Sequence, residues 1–162
     1  TGSFHYPHTT SLTQKAVSEL PKYKLDIHGI YKNVYENITL SDIRFLAKIL
    51  PRMKCEPGGK IAWFQIKRNM LKNRKLSFDL TDYMLTFARA IKGVEVVALF
   101  KENLGVENEV RVNLRSQGKI DVNKIAQFFG GGGHKTASGA TVRGKIDQVR
   151  KKVLAKIKES FR

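Results

Sequence analysis

FFGGGGHKTASGAT, residues 128–141, sets four consecutive glycines directly before a histidine in a chain otherwise crowded with lysine and arginine. Read as a slack linker, the run would separate two bodies; read as packed structure, it belongs inside one. A flexible linker needs polar, solvated neighbours on both sides, whereas Phe128, Phe129 and the helical pattern before them predict a packed element running straight into Gly130. Residues without Cβ also let the backbone take positive φ and approach a ligand closely, and successive amides turned inward make an anion-binding concavity. The expected ligand is a phosphate bound by Gly130, Gly131, Gly132 and Gly133, with His134 donating to a non-bridging oxygen and Lys135 close by. A loop that merely needs left-handed turns is the alternative. The run fits neither the dinucleotide fingerprint nor the P-loop.

Outward from the glycines, the pattern is mixed. NEVRVNLRS (108–116) alternates strictly, with Val110, Val112 and Leu114 on one face and Arg111, Asn113 and Arg115 on the other. Where that strand ends, Arg115 and Ser116 supply a candidate second half for the site, since a guanidinium fork can grip a phosphate or stack on a base. An arginine paired with a neighbouring carboxylate is the competing reading, and Arg111 and Asn113 carry less of the argument. KIAWFQIK (60–67) and VEVVALFKE (94–102) read as further strands, and 138–144 as a fourth. Helical patterns fill about 79–91, 121–129 and 145–161; the last repeats Ile146, Val149, Val153, Ile157 and Phe161 at helical spacing. The fold class is α/β, with a mixed central sheet flanked by helices.

The front of the chain reads as helical, over 11–20, 26–37 and 39–50, with Pro21 and Pro51 as stops. In the second stretch Ile27, Ile30, Tyr31 and Val34 share a face, and His28 reads as a structural histidine. Composition changes at KCEPGGK (54–60), the best internal boundary. His5 and His8 have a metal-site spacing, but Pro7 disfavours a helix between them and no partner completes a set.

Thirty Lys and Arg against fourteen Asp and Glu leave a net charge of +16. Of that excess, +13 falls in residues 60–162, which favours anionic partners over a uniformly solvated surface. A single cysteine, Cys55, excludes an internal disulfide framework and fits a reducing compartment. No apolar run approaches the roughly 20 residues needed to span a bilayer, and the carboxylates are too scattered to form the acidic cluster of a metal-dependent phosphoesterase.

GGGGHKTASGAT (130–141), preceded by VRVNLRSQGKIDVNKIAQFF (110–129), resembles the carboxy-terminal DHHA1 substrate-binding domain of the DHH phosphoesterase superfamily. TGSFHYPHTT (1–10) is similar to the segment after the last metal-ligating aspartate in its oligoribonuclease and phosphoadenosine phosphatase branch. The resemblance implies a remnant of a DHH catalytic domain at 1–20, a helical connector at 21–57 and a DHHA1 domain at 58–162. It implies that Gly130 to Gly133 and His134 contact phosphate and sugar while Arg115 and Ser116 bind the nucleotide's other end. The implied substrates are short RNA, dinucleotides such as linear di-adenylate, or nucleotide phosphates including phosphoadenosine phosphate. The implied cofactor is a pair of manganese ions held outside this sequence, because the Asp-His-His and Asp-x-Asp motifs are absent from it. A cytoplasmic location without membrane contact is expected, and a homodimer is compatible with it. The alternative is a non-catalytic nucleic-acid-binding module, since DHHA1-like domains also accompany alanyl-tRNA synthetases.

Overall fold

The computed structural model describes residue 4 and residues 9–71, 78–103 and 105–161. His5 and His8 lie outside the described residues. The chain divides into two compact units, Thr1–Leu40 and Ser41–Arg162.

In the first unit, α1 (Ser11–Glu19) starts on Thr10, whose hydroxyl accepts from the Thr13 amide while Thr13 reaches back to the Thr10 amide. That reciprocal pair satisfies two of the free donors at the helix start. A 3₁₀ turn through Leu20–Tyr23 carries Pro21 near its start, and α2 (Ile27–Tyr35) is capped by the Asp26 carboxylate on the Gly29 amide. The predicted stripe of α2 forms, yet Ile27, Ile30, Tyr31 and Val34 are all exposed, and so is His28, which the sequence suggested as a structural histidine.

The second unit is a six-stranded mixed sheet in the order β1-β2-β3-β4-β6-β5. Its strands are β1 (Lys54–Cys55), β2 (Ile61–Ile66), β3 (Val96–Glu102), β4 (Glu109–Ser116), β5 (Gly132–His134) and β6 (Ala137–Arg143). Among the described residues β2 and β3 run parallel, and the other pairings are antiparallel. The KCEPGGK stretch is a hairpin turn joining β1 to β2, with Gly58 and Gly59 at φ 90° and 70°.

Alternation along the strands sends residues to two faces, and the helices divide them. On the first face, α6 (Val122–Phe128) and α7 (Ile146–Glu159) cover Trp63, Phe100, Val112 and Leu114. Here α7 buries Ile146, Val149, Val153 and Ile157, as its spacing predicts, and adds Leu154. Burial of each such side chain contributes about 1.5–3 kcal/mol of transfer free energy. On the second face, Ala62, Phe64, Ile66, Val97 and Leu99 are fully buried, and α5 (Phe78–Arg89) sets Leu80, Met84, Leu85 and Ala88 into the core. The short α4 (Arg68–Leu71) adds Leu71. In α3 (Leu40–Ile49) the buried side is Phe45, Leu46 and Ile49, while Ile43 is exposed. No helix among the described residues is long and apolar enough to cross a membrane.

Candidate functional site

The helix α6 begins on the Asp121 carboxylate, which accepts from the amides of Asn123 and Lys124. It ends at the glycines. Gly130, at φ 74°, donates its amide to the Gln127 carbonyl at 2.9 Å, and Gly131 donates to the Ala126 carbonyl at 2.9 Å. This crossed pair is a Schellman cap, in which glycine supplies the left-handed residue. The amides of Gly130 and Gly131 are therefore engaged by the helix and are not turned toward a ligand.

The remaining two glycines enter β5, which pairs with β6 through Gly132 opposite Gly139, Gly133 opposite Ser138 and His134 opposite Ala137. Close approach explains two of the four. A Cβ on Gly131 would stand 2.1 Å from the Gly139 carbonyl oxygen, and one on Gly133 would stand 2.6 Å from that of Ala137. Gly132 faces only the Asn123 side-chain oxygen, at 4.0 Å. The hairpin is tied down from the first face. The Val122 amide donates to the Lys135 carbonyl at 2.9 Å, the Ser116 amide to the Thr136 carbonyl at 3.0 Å, and the Ser138 hydroxyl to the Val122 carbonyl at 2.6 Å.

Directly paired antiparallel residues share a face, so the register defines what the second face presents beyond α5. The first row runs Arg115, Ala137, His134; the second runs Asn113, Gly139, Gly132; the third pairs Arg111 with Thr141, and β3 extends it with Lys101. Small residues thus floor a shelf between Arg115 on one side and His134 on the other, two strand spacings or about 10 Å apart. His134 is exposed and its side chain makes no hydrogen bond or ion pair among the described residues. Arg115 is only 17% exposed, and its Nη2 donates to Asp82 Oδ1 of α5 at 2.8 Å. The carboxylate partner foreseen as the competing reading exists, yet the guanidinium stays at the margin of the shelf.

Ser116 does not join them. It is adjacent in sequence to Arg115, so it points to the opposite face, where it is 1% exposed. There its hydroxyl accepts from the Gly118 amide at 3.4 Å and sits 3.5 Å from the Lys135 carbonyl. Of the residues expected to bind ligand, the structure brings Arg115, Gly132 and His134 to one face. It gives Gly130, Gly131 and Gly133 to the local fold and Ser116 to the underside. Sequence reasoning missed Gly139 and Thr141 because nothing in β6 alone tells which strand lies beside it. Asn123 was missed too; among the described residues its Oδ1 is buried without a hydrogen-bond partner, 4.0 Å from where a Gly132 Cβ would stand.

Concavities elsewhere among the described residues include one of about 430 Å³ near Lys67, Arg68, Glu102 and Asp147 and one of about 510 Å³ near Arg44, Phe45, Lys48 and Met70. The first mixes charges that neutralise one another. The shelf instead presents the exposed His134 imidazole and the Arg115 guanidinium over mostly small residues, which suits a planar, anionic ligand better. Among the described residues, no three His, Cys, Asp or Glu side chains come together to hold a metal ion.

Known proteins of similar sequence and fold point to one family. Residues 76–161 match the family model described as DHHA1 domain. The bifunctional oligoribonuclease and PAP phosphatase NrnA of Bacillus subtilis is 28% identical over 142 residues, covering 88% of this chain and 44% of that protein. The probable NrnA of Streptococcus mutans is 31% identical over 140 residues, covering 86% and 44%. The crystal structure of an exopolyphosphatase-related protein from Bacteroides fragilis superimposes with a TM-score of 0.83 at 26% identity, covering 98% of this chain and 47% of that one. The chain spans about half the length of the curated relatives it matches.

Proposed function

The chain belongs to the DHHA1 domain family, and from that premise we propose that it is the substrate-holding part of a phosphodiesterase that cleaves short oligoribonucleotides or dinucleotides to mononucleotides. Relatives named as oligoribonuclease and PAP phosphatase support the reaction class. The observation that carries the reading is the open sheet face with His134 and Arg115 on either side of Ala137, Gly139 and Gly132. A nucleotide laid on that floor meets the imidazole at its phosphate and the guanidinium at its other end. The imidazole donates a hydrogen bond to a non-bridging oxygen, and the guanidinium plane offers stacking or a fork of donors. Rigid anchoring of the hairpin by Val122, Ser116 and Ser138 holds His134 in place before ligand arrives.

In this reading the shelf is one wall of a cleft, and the residues that activate water stand on another. No cluster of metal-binding side chains forms among the described residues, so a manganese pair would be held by segments outside them. Phosphoadenosine phosphate fits the same wall, and a cytoplasmic location suits such substrates.

The competing reading is a nucleic-acid-binding module without catalysis, which the excess of +13 over residues 60–162 favours. Titration of the chain with linear di-adenylate and with long poly-adenylate separates the two. A substrate wall saturates at a few nucleotides; a general binder gains affinity and salt slope with length. Affinity that climbs steadily into the long polymer overturns the phosphodiesterase reading.

A further inference from the structure

On the third row of the shelf, β3 and β4 set Lys101 directly opposite Arg111. Like charges facing one another across a strand pair destabilise a sheet, so the pairing needs a reason. Neither side chain has an ion-pair partner among the described residues. The carboxylate of β4, Glu109, instead accepts from the Asn103 side-chain amide. Arg111 reaches the other way, donating from Nη1 to Thr141 Oγ1 at 3.2 Å. Its guanidinium lies against Gly139, where an added Cβ would come within 3.3 Å of Nη2. The missing side chain at Gly139 therefore leaves Arg111 room to lie flat along the sheet instead of extending into solvent. Lys101 is half-buried, and that burial, followed by the field of Arg111, pushes its ammonium pKa below the ordinary lysine range. An ammonium so shifted lowers the stability of the folded chain at neutral pH.

Two cations held together without a counter-ion form an anion site when both reach the same open surface. We infer that Lys101 and Arg111 bind a second phosphate of the substrate, on the nucleotide beyond the one held by His134 and Arg115. The Arg111 guanidinium lies against Gly139, two residues along β6 from Ala137 in the His134 row, roughly 7 Å, a separation that successive phosphates of a dinucleotide can span. This subsite rests on the nucleotide reading of the shelf and adds a selectivity to it: a preference for a substrate with two phosphates over one.

Calorimetric titration of the chain with adenosine monophosphate and with 5′-phosphorylated di-adenylate, each at two salt concentrations, tests it. Lys101→Met and Arg111→Gln are expected to weaken di-adenylate binding about ten-fold each. They should also flatten its salt slope by about 0.7 for each phosphate charge no longer neutralised, and leave adenosine monophosphate binding unchanged. Lys101→Met should hold or raise the melting temperature, which a structural lysine would not. If di-adenylate binding is unchanged in both variants, or both ligands weaken equally, the subsite is wrong while the shelf stands. A wild-type chain that binds neither ligand overturns the nucleotide reading and the subsite together.

Discussion

Arg115 on β4 and Asp82 on α5 are joined at 2.8 Å, at the line where the covered half of the second sheet face gives way to the open half. The bond fixes the edge of the shelf. Asp82 is 44% exposed, so screening by water limits the pair's worth to about 1 kcal/mol or less. Asp82→Ala should therefore leave the melting temperature nearly unchanged while loosening the guanidinium, and nucleotide affinity should fall a few-fold by calorimetry. A large loss of stability with intact affinity would make the pair structural only.

His134→Ala should leave the fold intact, because the imidazole is exposed and makes no side-chain hydrogen bond among the described residues. On the proposed function, loss of this donor is expected to lower turnover of a short dinucleotide, by a protein that joins this domain to a catalytic one, by roughly 100-fold or more. Steady-state rates on that substrate check it. Wild-type turnover would remove His134 from the site.

The four glycines should respond differently to alanine. Gly131→Ala and Gly133→Ala force Cβ atoms to within 2.1 and 2.6 Å of carbonyl oxygens, and each should cost about 1–3 kcal/mol in denaturant unfolding. Gly130→Ala meets no atom but holds φ 74°, for about 1 kcal/mol. Gly132→Ala meets only the Asn123 side-chain oxygen at 4.0 Å and should be almost neutral for stability. Equal destabilisation at all four positions would contradict this division of labour.

Glu56 ties the β1–β2 hairpin to α7. The Lys158 ammonium, 2.5 Å away, holds its pKa below the ordinary glutamate range, against the opposing effect of burial, with help from the Trp63 indole N–H at 2.9 Å and the field of Arg150. Because the folded-state value is depressed, the stabilisation is fully present above the unfolded value, about 4.3, and is lost as pH falls through the folded one. Glu56→Gln should therefore melt earlier than wild type at neutral pH, and the gap should close as pH drops below that range. A gap that persists unchanged in acid would assign the effect to packing.

The α/β class, the strands at 60–67, 94–102 and 108–116 and the amphipathic α7 were legible because each carries its own periodicity. Val110, Val112 and Leu114 alternate regardless of which strand lies beside them. The short β1 and β5 were not legible, since two or three residues hold no period and exist only because a neighbouring strand completes their hydrogen bonds. The inward face of α3 was not legible in this way either: Ile43 and Phe45 are both apolar, and packing decides that Phe45 is buried and Ile43 exposed.

For the candidate site the same distinction holds. The glycines announced backbone that a side chain would obstruct, and Arg115 announced a cation at a strand end; both follow from residue type and local spacing. What the glycines accommodate was decided by tertiary structure: a helix cap at Gly130 and Gly131, and the closely approaching β6 at Gly133. Strand order alone put Ala137 and Gly139 between Arg115 and His134, and set Lys101 against Arg111. Alternation placed Ser116 on the buried side, and which side was buried depended on where α6 and α7 packed. A sequence specifies what each residue can do, but its neighbours across a sheet come from pairings between distant segments, which no local pattern encodes.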